Sequence, residues 1–280
     1  GQPNPDTYER AFAFCDVLVI GAGPAGLMAA LTAARAGADV IIADEDARPG
    51  GRLNAELLEV DGELGHVWAA RAVAELESMS NVRVMSRTTV TGAYDQGTFG
   101  ALERVNQHRG GRSDGAPLEC FWRIVTKHSI LAAGAIERPI AFQNNDRPGI
   151  MTAGAVRAYL NRWGVSPGRA VTVFTNNNDA YRTAQDMVAA GVRVAAVIDS
   201  RADVRSTGEF PVYRGAQVCN SNGGKELESI SIIVNGKSEK IQTDCLAMSG
   251  GWNPTVHLTC HMNSRPTWRA DIQAFVPTEG

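Results

Sequence analysis

A glycine-rich turn constrains the fold of this 280-residue chain more than any other sequence feature. The turn, Gly21-Ala22-Gly23-Pro24-Ala25-Gly26, follows residues 16–20, which are largely apolar and rich in β-branched side chains. Such a run is typical of a buried parallel strand. Residues 27–36 then predict a helix that ends at Gly37, and residues 39–43 predict a second strand. This order of elements indicates a βαβ unit.

Each glycine of the turn has a mechanical task in a βαβ unit that binds a dinucleotide. Gly21 permits the tight turn out of the strand, Gly23 lets the backbone approach a pyrophosphate, and Gly26 lets the helix pack closely on the strand. The helix starts at Pro24 and Ala25, so its positive end and the free N–H groups of the non-proline residues of the turn face the phosphates. We therefore expect these residues to bind the ADP part of NAD or FAD.

An acidic residue ends the second predicted strand. Asp44 follows Gly21 by about 20 residues, which is the spacing of the carboxylate that accepts hydrogen bonds from the adenosine ribose. A carboxylate at this point disfavours a 2′-phosphate, so the sequence favours NAD or FAD over NADP. Glu45 is the alternative for the ribose contact, and Asp44 is preferred.

Two further glycine-containing segments are predicted to lie against the cofactor. The pair Gly50-Gly51 suits a loop that touches a dinucleotide, and Arg52 is placed to reach a phosphate; the alternative is a surface turn with a solvated arginine. Ala133 and Gly134 end a predicted strand over residues 128–135, where small side chains allow the backbone to approach a ligand.

The remaining elements of the first half are predicted from periodicity. They are a helix over 66–80, a parallel strand over 81–85, strands of a small antiparallel layer over 89–102 and 121–126, and a polar, glycine-rich loop over 106–117.

A second βαβ unit is predicted from a strand at 169–174, a helix at 179–190 and a strand at 193–198. Its first turn, Thr175-Asn176-Asn177-Asn178-Asp179, lacks glycine at the fingerprint positions, and Asp179 is suited to cap the helix. The asparagine side chains would crowd a pyrophosphate, so we expect a Rossmann-like unit without an ordinary dinucleotide site. A modified site that uses asparagine amides is the alternative.

The chain is predicted to leave the first domain and return to it. Residues 217–247 alternate in polarity around a hairpin signal at Asn235-Gly236, and residues 246–251 repeat the earlier change from a strand to small residues. We therefore predict an α/β, Rossmann-like FAD/NAD(P)-binding three-layer fold with a second, inserted βαβ dinucleotide-binding-like domain. The predicted domains are 12–140 with 244–280, and 141–243.

Composition excludes several classes of function. A net charge of −3 gives no general attraction for nucleic acid, and no apolar run reaches the roughly 20 residues of a membrane span, so we expect a cytoplasmic protein. The five cysteines and five histidines show neither a redox dithiol nor metal-ligand spacing. The sequence nominates no catalytic residue and no metal ligand.

Five longer runs of the sequence are specific rather than generic: 133–139, 145–151, 159–162, 174–177 and 250–254. They resemble the alpha subunit of heterotetrameric sarcosine oxidase, and the similarity extends from about Cys15 to Pro277. The broader resemblance is to the flavoprotein superfamily with two dinucleotide-binding domains, which includes glutathione reductase. Related amine and opine oxidases share much of the pattern.

The resemblance implies a part of an enzyme that demethylates sarcosine oxidatively to glycine. It further implies that the alpha subunit holds NAD, that oxidation occurs on FAD in a beta subunit, and that FMN lies between the two. Tetrahydrofolate chemistry belongs to another part of alpha. By position, Gly21, Gly23, Gly26 and Asp44 correspond to NAD contacts, with Gly50, Gly51 and Arg52 as neighbours.

The sequence departs from this family in length, which leaves other functions open. Family alpha subunits are longer at both ends, so a fragment that is not catalytic alone is expected. One alternative is a self-contained FAD-dependent pyridine-nucleotide oxidoreductase. Another is a scaffold with a vestigial nucleotide site, in which tryptophans contact partner subunits; the candidates are Trp163, Trp252 and Trp268.

Overall fold

The computed structural model of the protein describes residues 6–109, 116–205 and 208–278. The expected loop over 106–117 therefore lies partly outside the described residues. The helices are α1 (Pro24–Arg35), α2 (Gly65–Ser78), α3 (Ala153–Trp163), α4 (Asp179–Ala189) and α5 (His257–Cys260). The strands are β1 (Tyr8–Ile20), β2 (Val40–Ala43), β3 (Glu59–Val60), β4 (Glu63–Leu64), β5 (Val82–Met85), β6 (Thr88–Tyr94), β7 (Thr98–Arg104), β8 (Glu119–Leu131), β9 (Ala135–Glu137), β10 (Ile150–Thr152), β11 (Ala170–Thr175), β12 (Arg193–Asp199), β13 (Val212–Arg214), β14 (Gln217–Asn222), β15 (Ser229–Val234), β16 (Lys237–Gln242), β17 (Cys245–Ser249), β18 (Trp252–Pro254), β19 (Thr267–Arg269) and β20 (Ala274–Val276).

The described residues divide into two compact units. The first is drawn from Gly1–Asn54, Leu58–Ala135 and Pro254–Gly280, and the second from Ala55–Leu57 and Ile136–Asn253.

The six-stranded sheet of the first unit has the order β5-β2-β1-β8-β7-β6. Strands β5, β2, β1 and β8 are parallel, whereas β7 and β6 continue the sheet in antiparallel pairs. The expected βαβ unit is confirmed as β1, α1 and β2. Alternate residues of the central strands enter two hydrophobic clusters: Val19 packs with residues of α1 and α2, while Leu18 and Ile20 pack with residues of β6, β7 and β8.

Two strand predictions for this unit are wrong in their limits. Residues 121–126 and 128–135 were expected to form two strands, but β8 runs without interruption from Glu119 to Leu131. The antiparallel strands are not a separate layer, because β8 pairs with β1 along its length and with β7 over its first half. For the same reason β1 begins at Tyr8 rather than at residue 16.

The second unit has a five-stranded parallel sheet of order β10-β17-β11-β12-β13 and an antiparallel sheet of β14, β15 and β16. The predicted βαβ unit is present as β11, α4 and β12. The hairpin at Asn235-Gly236 is confirmed, with φ values of 49° and 74° at these residues.

The limits of these units differ from the predicted domains mainly at residues 244–253. Strand β17 is buried along its whole length and pairs with both β10 and β11, so it completes the sheet of the second unit. The chain rejoins the first unit at Pro254 rather than near Asp244. The α/β class and the Rossmann-like arrangement are confirmed. No described helix has the length and apolar character needed to cross a membrane.

Candidate dinucleotide-binding site

The glycine-rich turn is closely packed at two of its three glycines. Gly21 has a φ of 98°, and its amide donates to the Ala43 carbonyl at 2.8 Å. A Cβ at Gly21 would overlap the Ala132 carbonyl at the end of β8, and a Cβ at Gly26 would overlap the Gly21 carbonyl. Neither position accepts a side chain without a backbone shift, so the start of α1 lies directly on the turn.

The third glycine faces open space. A Cβ at Gly23 would have no described atom within 4 Å. Gly23 is the N-cap of α1, no described side chain caps the helix, and no acidic residue lies in its first turn. Regular bonding begins when the Leu27 amide donates to the Gly23 carbonyl at 2.9 Å. The N–H groups of Gly23, Ala25 and Gly26 therefore precede the helical bonds, and these residues fit a bound phosphate.

Asp44 holds the turn from the end of β2. Its Oδ2 accepts a hydrogen bond from the Ala22 amide at 2.6 Å, and its Oδ1 accepts one from the Asp46 amide at 2.8 Å. The half-buried carboxylate thus lies beside the phosphate-facing turn. A carboxylate has about four acceptor sites, so these two bonds leave capacity for ribose hydroxyls.

Glu45, the alternative residue for the ribose contact, borders a surface cleft. It is exposed and lines a cleft of about 650 Å³ together with Asp46, Ala47, Arg87, Arg104, Gln107 and His108. This volume lies in the range of small-molecule sites. The cleft is lined from Glu45 onward, so it includes the residues that follow Asp44 in the chain.

The glycine pair packs against the turn, as its small size allows. The Gly50 amide donates to the Ala22 carbonyl at 2.7 Å, and a Cβ at Gly51 would lie 2.9 Å from the Gly23 Cα. Both glycines have positive φ values, 131° and 52°. Arg52 is exposed on the short helical turn that follows.

Ala133 and Gly134 are the last of the residues that the sequence predicts to lie against the cofactor. An added Cβ at Gly21 would lie 3.1 Å from the Ala133 Cα, so the end of β8 borders the turn. Gly134 is exposed, has a φ of 69°, and accepts a hydrogen bond from the Thr255 amide at 3.0 Å. The fold therefore brings Ala133 and both glycine pairs, Gly21 with Gly23 and Gly50 with Gly51, to one edge of the first sheet.

Sequence reasoning missed the residues that support these loops. Asn54 is buried, and its Nδ2 donates to the carbonyls of Arg48 and Pro49 at 2.9 and 3.2 Å. Arg104 donates from Nη2 to the Glu45 carbonyl at 2.7 Å. The position of Asn54 shortly after the glycine pair offered a local signal, whereas Arg104 is distant in sequence and gave none.

The described side chains that can ligate a metal do not converge on one site. Among the described residues no three His, Cys, Asp or Glu side chains are arranged to hold a metal ion. Among the histidines, His261 has a structural partner, since its Nδ1 accepts a hydrogen bond from the Ala93 amide at 3.3 Å.

The fold is Rossmann-like, and the glycine-rich turn with Asp44 has the features of a dinucleotide-binding site. The family described as FAD dependent oxidoreductase matches residues 16–109, which include the whole glycine-rich turn and Asp44. Among solved structures, the L-proline dehydrogenase of P. horikoshii is similar with a TM-score of 0.75 and 21% sequence identity, over 96% of this chain and 48% of that one. A likeness at this identity concerns the fold.

Comparison with sequence relatives adds similarity to subunits of amine-type oxidases. The sarcosine oxidase alpha subunit of Rhizobium meliloti (strain 1021) is 49% identical over 98% of this chain. An opine oxidase subunit from Agrobacterium tumefaciens (strain Ach5) is 30% identical over 94% of it. The chain spans 28% of the first relative's length and 58% of the second's. The chain is similar to sarcosine oxidase alpha subunits over almost its whole length and spans less than a third of the length of such a polypeptide.

Proposed function

We propose that this chain is the NAD-binding portion of the alpha subunit of a multisubunit amine oxidase of the sarcosine oxidase type. The observation that carries the proposal is the intact site of the first unit, in which Gly23 leaves the backbone open and Asp44 lies beside it. The 49% identity to the alpha subunit of a sarcosine oxidase supports the assignment to this type of enzyme.

In this proposal each residue of the site has one task. The N–H groups of Gly23, Ala25 and Gly26 bind the pyrophosphate, assisted by the helix dipole. Asp44 accepts hydrogen bonds from the adenosine ribose. The base extends into the cleft that Glu45 and Arg104 border.

Oxidation itself is assigned to a partner. The complex would demethylate sarcosine to glycine on the FAD of a beta subunit, with FMN at the interface between subunits. The described cysteines form no disulfide, and they are too scattered in sequence for a redox dithiol, which supports a binding role for this chain. Because the same region is shared with an opine oxidase, the amine substrate is not specified by this portion.

The test is to denature the purified chain and identify the released nucleotide by mass spectrometry. NAD without flavin is the expected result, and Gly23→Ala should release less than the wild type because its methyl group would occupy the phosphate approach. Gly224→Ala is the matched control, since a Cβ there also meets no described atom within 4 Å. Release of no dinucleotide, also after incubation with NAD, would contradict the proposal and favour a scaffold.

A second candidate is FAD in the same site, which would make the chain a flavoenzyme. The specific observation in its favour is that the FAD dependent oxidoreductase family matches residues 16–109. FAD and NAD present the same ADP moiety, so the glycine-rich turn accepts both. A yellow protein that releases FAD, and whose flavin is reduced by NADH or an amine, would establish this alternative.

A further inference from the structure

The second unit repeats the first with every fingerprint residue except the acid replaced. At one constant spacing along the chain, the counterparts of Gly21, Gly23, Pro24, Gly26 and Asp44 are Asn176, Asn178, Asp179, Tyr181 and Asp199. The correspondence is also structural, since Gly23 and Asn178 are N-caps and Pro24 and Asp179 are the first residues of α1 and α4. A fold of this type implies a second dinucleotide here, so its fit can be tested.

The start of α4 is capped by the chain itself. Asn177 Oδ1 accepts hydrogen bonds from the amides of Asp179 and Ala180 at 3.1 and 3.4 Å. Asn177 Nδ2 donates to the hydroxyl and the carbonyl of Ser249 at 3.0 and 3.1 Å. The expected cap, Asp179, is instead the first helical residue. The Tyr181 amide donates to the Asn178 carbonyl at 3.2 Å, so the amides of Asp179, Ala180 and Tyr181 already have partners within the protein.

The first turn of α4 contains an acidic residue. Asp179 Oδ2 pairs at 3.0 Å with Arg157, whose side chain is 3% exposed. A pyrophosphate would therefore meet a carboxylate in the first turn of α4, where the first unit has Pro24. Arg157 and the half-exposed Arg182, whose Nη1 lies 3.7 Å from Asp179 Oδ1, already pair with that acid, so both guanidinium groups are engaged within the protein rather than on a phosphate.

The retained acid cannot serve a ribose. Asp199 is completely buried and accepts hydrogen bonds from the Tyr181 hydroxyl at 3.0 Å and from Arg201 Nε and Nη2 at 3.0 and 2.8 Å. Burial and this carboxylate raise the pKa of Tyr181 to about 12, so the tyrosine stays a donor. Arg201 also bonds Asn178 Oδ1 at 2.9 Å and so crosses the turn.

We propose that the second unit is closed to dinucleotides by its own side chains. Asn177 accepts amide hydrogen bonds that a phosphate would accept, and Asp179 engages Arg157 and Arg182 at the helix start. Arg201 and Tyr181 donate to Asp199 in place of ribose hydroxyls. The chain accordingly binds a single dinucleotide, in the first unit. No pyridine nucleotide can deliver electrons through the second unit, which distinguishes this chain from a reductase with two nucleotide sites.

Hydrogen exchange of the full chain with and without saturating NAD, NADH, NADPH and FAD locates any binding. The expected result is one equivalent bound, with protection at residues 21–26 and 44–52 and none at 175–181. Nucleotide-dependent protection at 175–181, or a second equivalent, would overturn the inference. Absence of all binding would contradict the proposed function but agree with a closed second unit.

Two variants, one at the corresponding acid of each unit, test the same inference by affinity. This test does not depend on which peptides are observed in hydrogen exchange. Asp44→Asn should weaken dinucleotide binding by about tenfold or more, as expected for the loss of charge-assisted hydrogen bonds. Asp199→Asn should leave the dissociation constant unchanged while lowering the melting temperature. Where Asp199→Asn does not fold, Tyr181→Phe removes only one bond to this acid. A fall in affinity in either second-unit variant, with native circular dichroism, would overturn the inference.

Discussion

The two oxygens of Asp44 accept hydrogen bonds from backbone amides on either side of the site, at Ala22 and Asp46. The carboxylate therefore shapes the turn as well as offering acceptors to a ribose. These roles depend on its negative charge, because an amide side chain has one acceptor oxygen only.

Asp44→Asn is expected to lower dinucleotide affinity by roughly 10–100-fold, since hydrogen bonds to charged groups contribute about 1.5–3 kcal/mol. Isothermal titration measures the dissociation constant. Asp95→Asn, at an exposed aspartate in the turn between β6 and β7, is the control for loss of charge alone. Equal affinities of Asp44→Asn and wild type would remove Asp44 from the site.

Glu137 is a buried acid of the second unit, and its protonation affects stability. Its Oε2 accepts a hydrogen bond from the Gly154 amide at 2.6 Å, at the start of α3. Burial raises the pKa of this carboxyl above the usual 4.5, and hydrogen bonds from Ser249 and Gly154 offset only part of the increase. The folded state therefore favours the neutral acid, and Arg157 pairs instead with Asp179.

The stabilising contribution of protonated Glu137 is complete below pH 4.5 and is lost as the pH rises through the raised pKa. Glu137→Gln cannot ionise, so its free energy of unfolding, relative to wild type, should increase from pH 5 to pH 8. Urea unfolding at both pH values measures this. Glu77→Gln, at an exposed position, should show no such trend, and a parallel trend in both variants would contradict the argument.

Two glycines of the first βαβ unit, three residues apart, have different roles. Gly26 allows close packing, and Gly23 leaves room for a ligand. A methyl group at Gly26 would overlap the Gly21 carbonyl, whereas one at Gly23 meets no described atom within 4 Å. The same substitution is therefore expected to act on the fold at one position and on the ligand at the other.

Gly26→Ala should lower the free energy of unfolding by about 1–3 kcal/mol, as overpacking does. Gly23→Ala should change stability little and weaken dinucleotide binding by about tenfold or more, because a buried clash of similar size then falls on the ligand. Urea unfolding and titration of each variant distinguish the two. The reverse pattern, with Gly23→Ala unstable and Gly26→Ala neutral, would contradict the described turn.

Elements fixed by local pattern were predictable, and elements fixed by distant pairing were not. The limits of α1, β2, α4 and β12 follow from helix signals and short apolar runs, and they agree with the sequence to within a few residues. Strand β8 was divided at Lys127, a charge within an apolar pattern. Its ammonium pairs with Asp16 of β1 at 2.6 Å, a partner that the local sequence cannot reveal.

The candidate site shows the same distinction between features fixed by local sequence and features fixed by distant contacts. Its glycines were predictable because a positive φ or a close approach admits no other residue, as at Gly21 and Gly51. The supports of its loops, such as Arg104 on the Glu45 carbonyl, were not. In the second unit the missing glycines predicted a defective site, but the bonds of Arg201 and Tyr181 to Asp199 required the structure.

At the scale of the whole molecule, each unit has hydrophobic clusters of its own. A ligand that binds only the folded first unit should stabilise it by linkage. At a free dinucleotide concentration 100 times the dissociation constant, the gain is about 2.7 kcal/mol. Thermal unfolding with and without dinucleotide should show this increase for wild type and a much smaller one for Gly23→Ala. An equal increase in both would place the ligand elsewhere.

The pairing of β1 with β8 also sets an order of events during synthesis. Parallel neighbours cannot be joined by a tight turn, and Tyr8 meets Glu119 only after about a hundred further residues have been added, which takes roughly 5–20 s at ribosomal speed. Until then the edge of β1 that pairs with β8 has no partner in the nascent chain and is open to pairing with other chains. Expression of this protein should therefore depend on translation speed and chaperone supply more than its final stability would suggest.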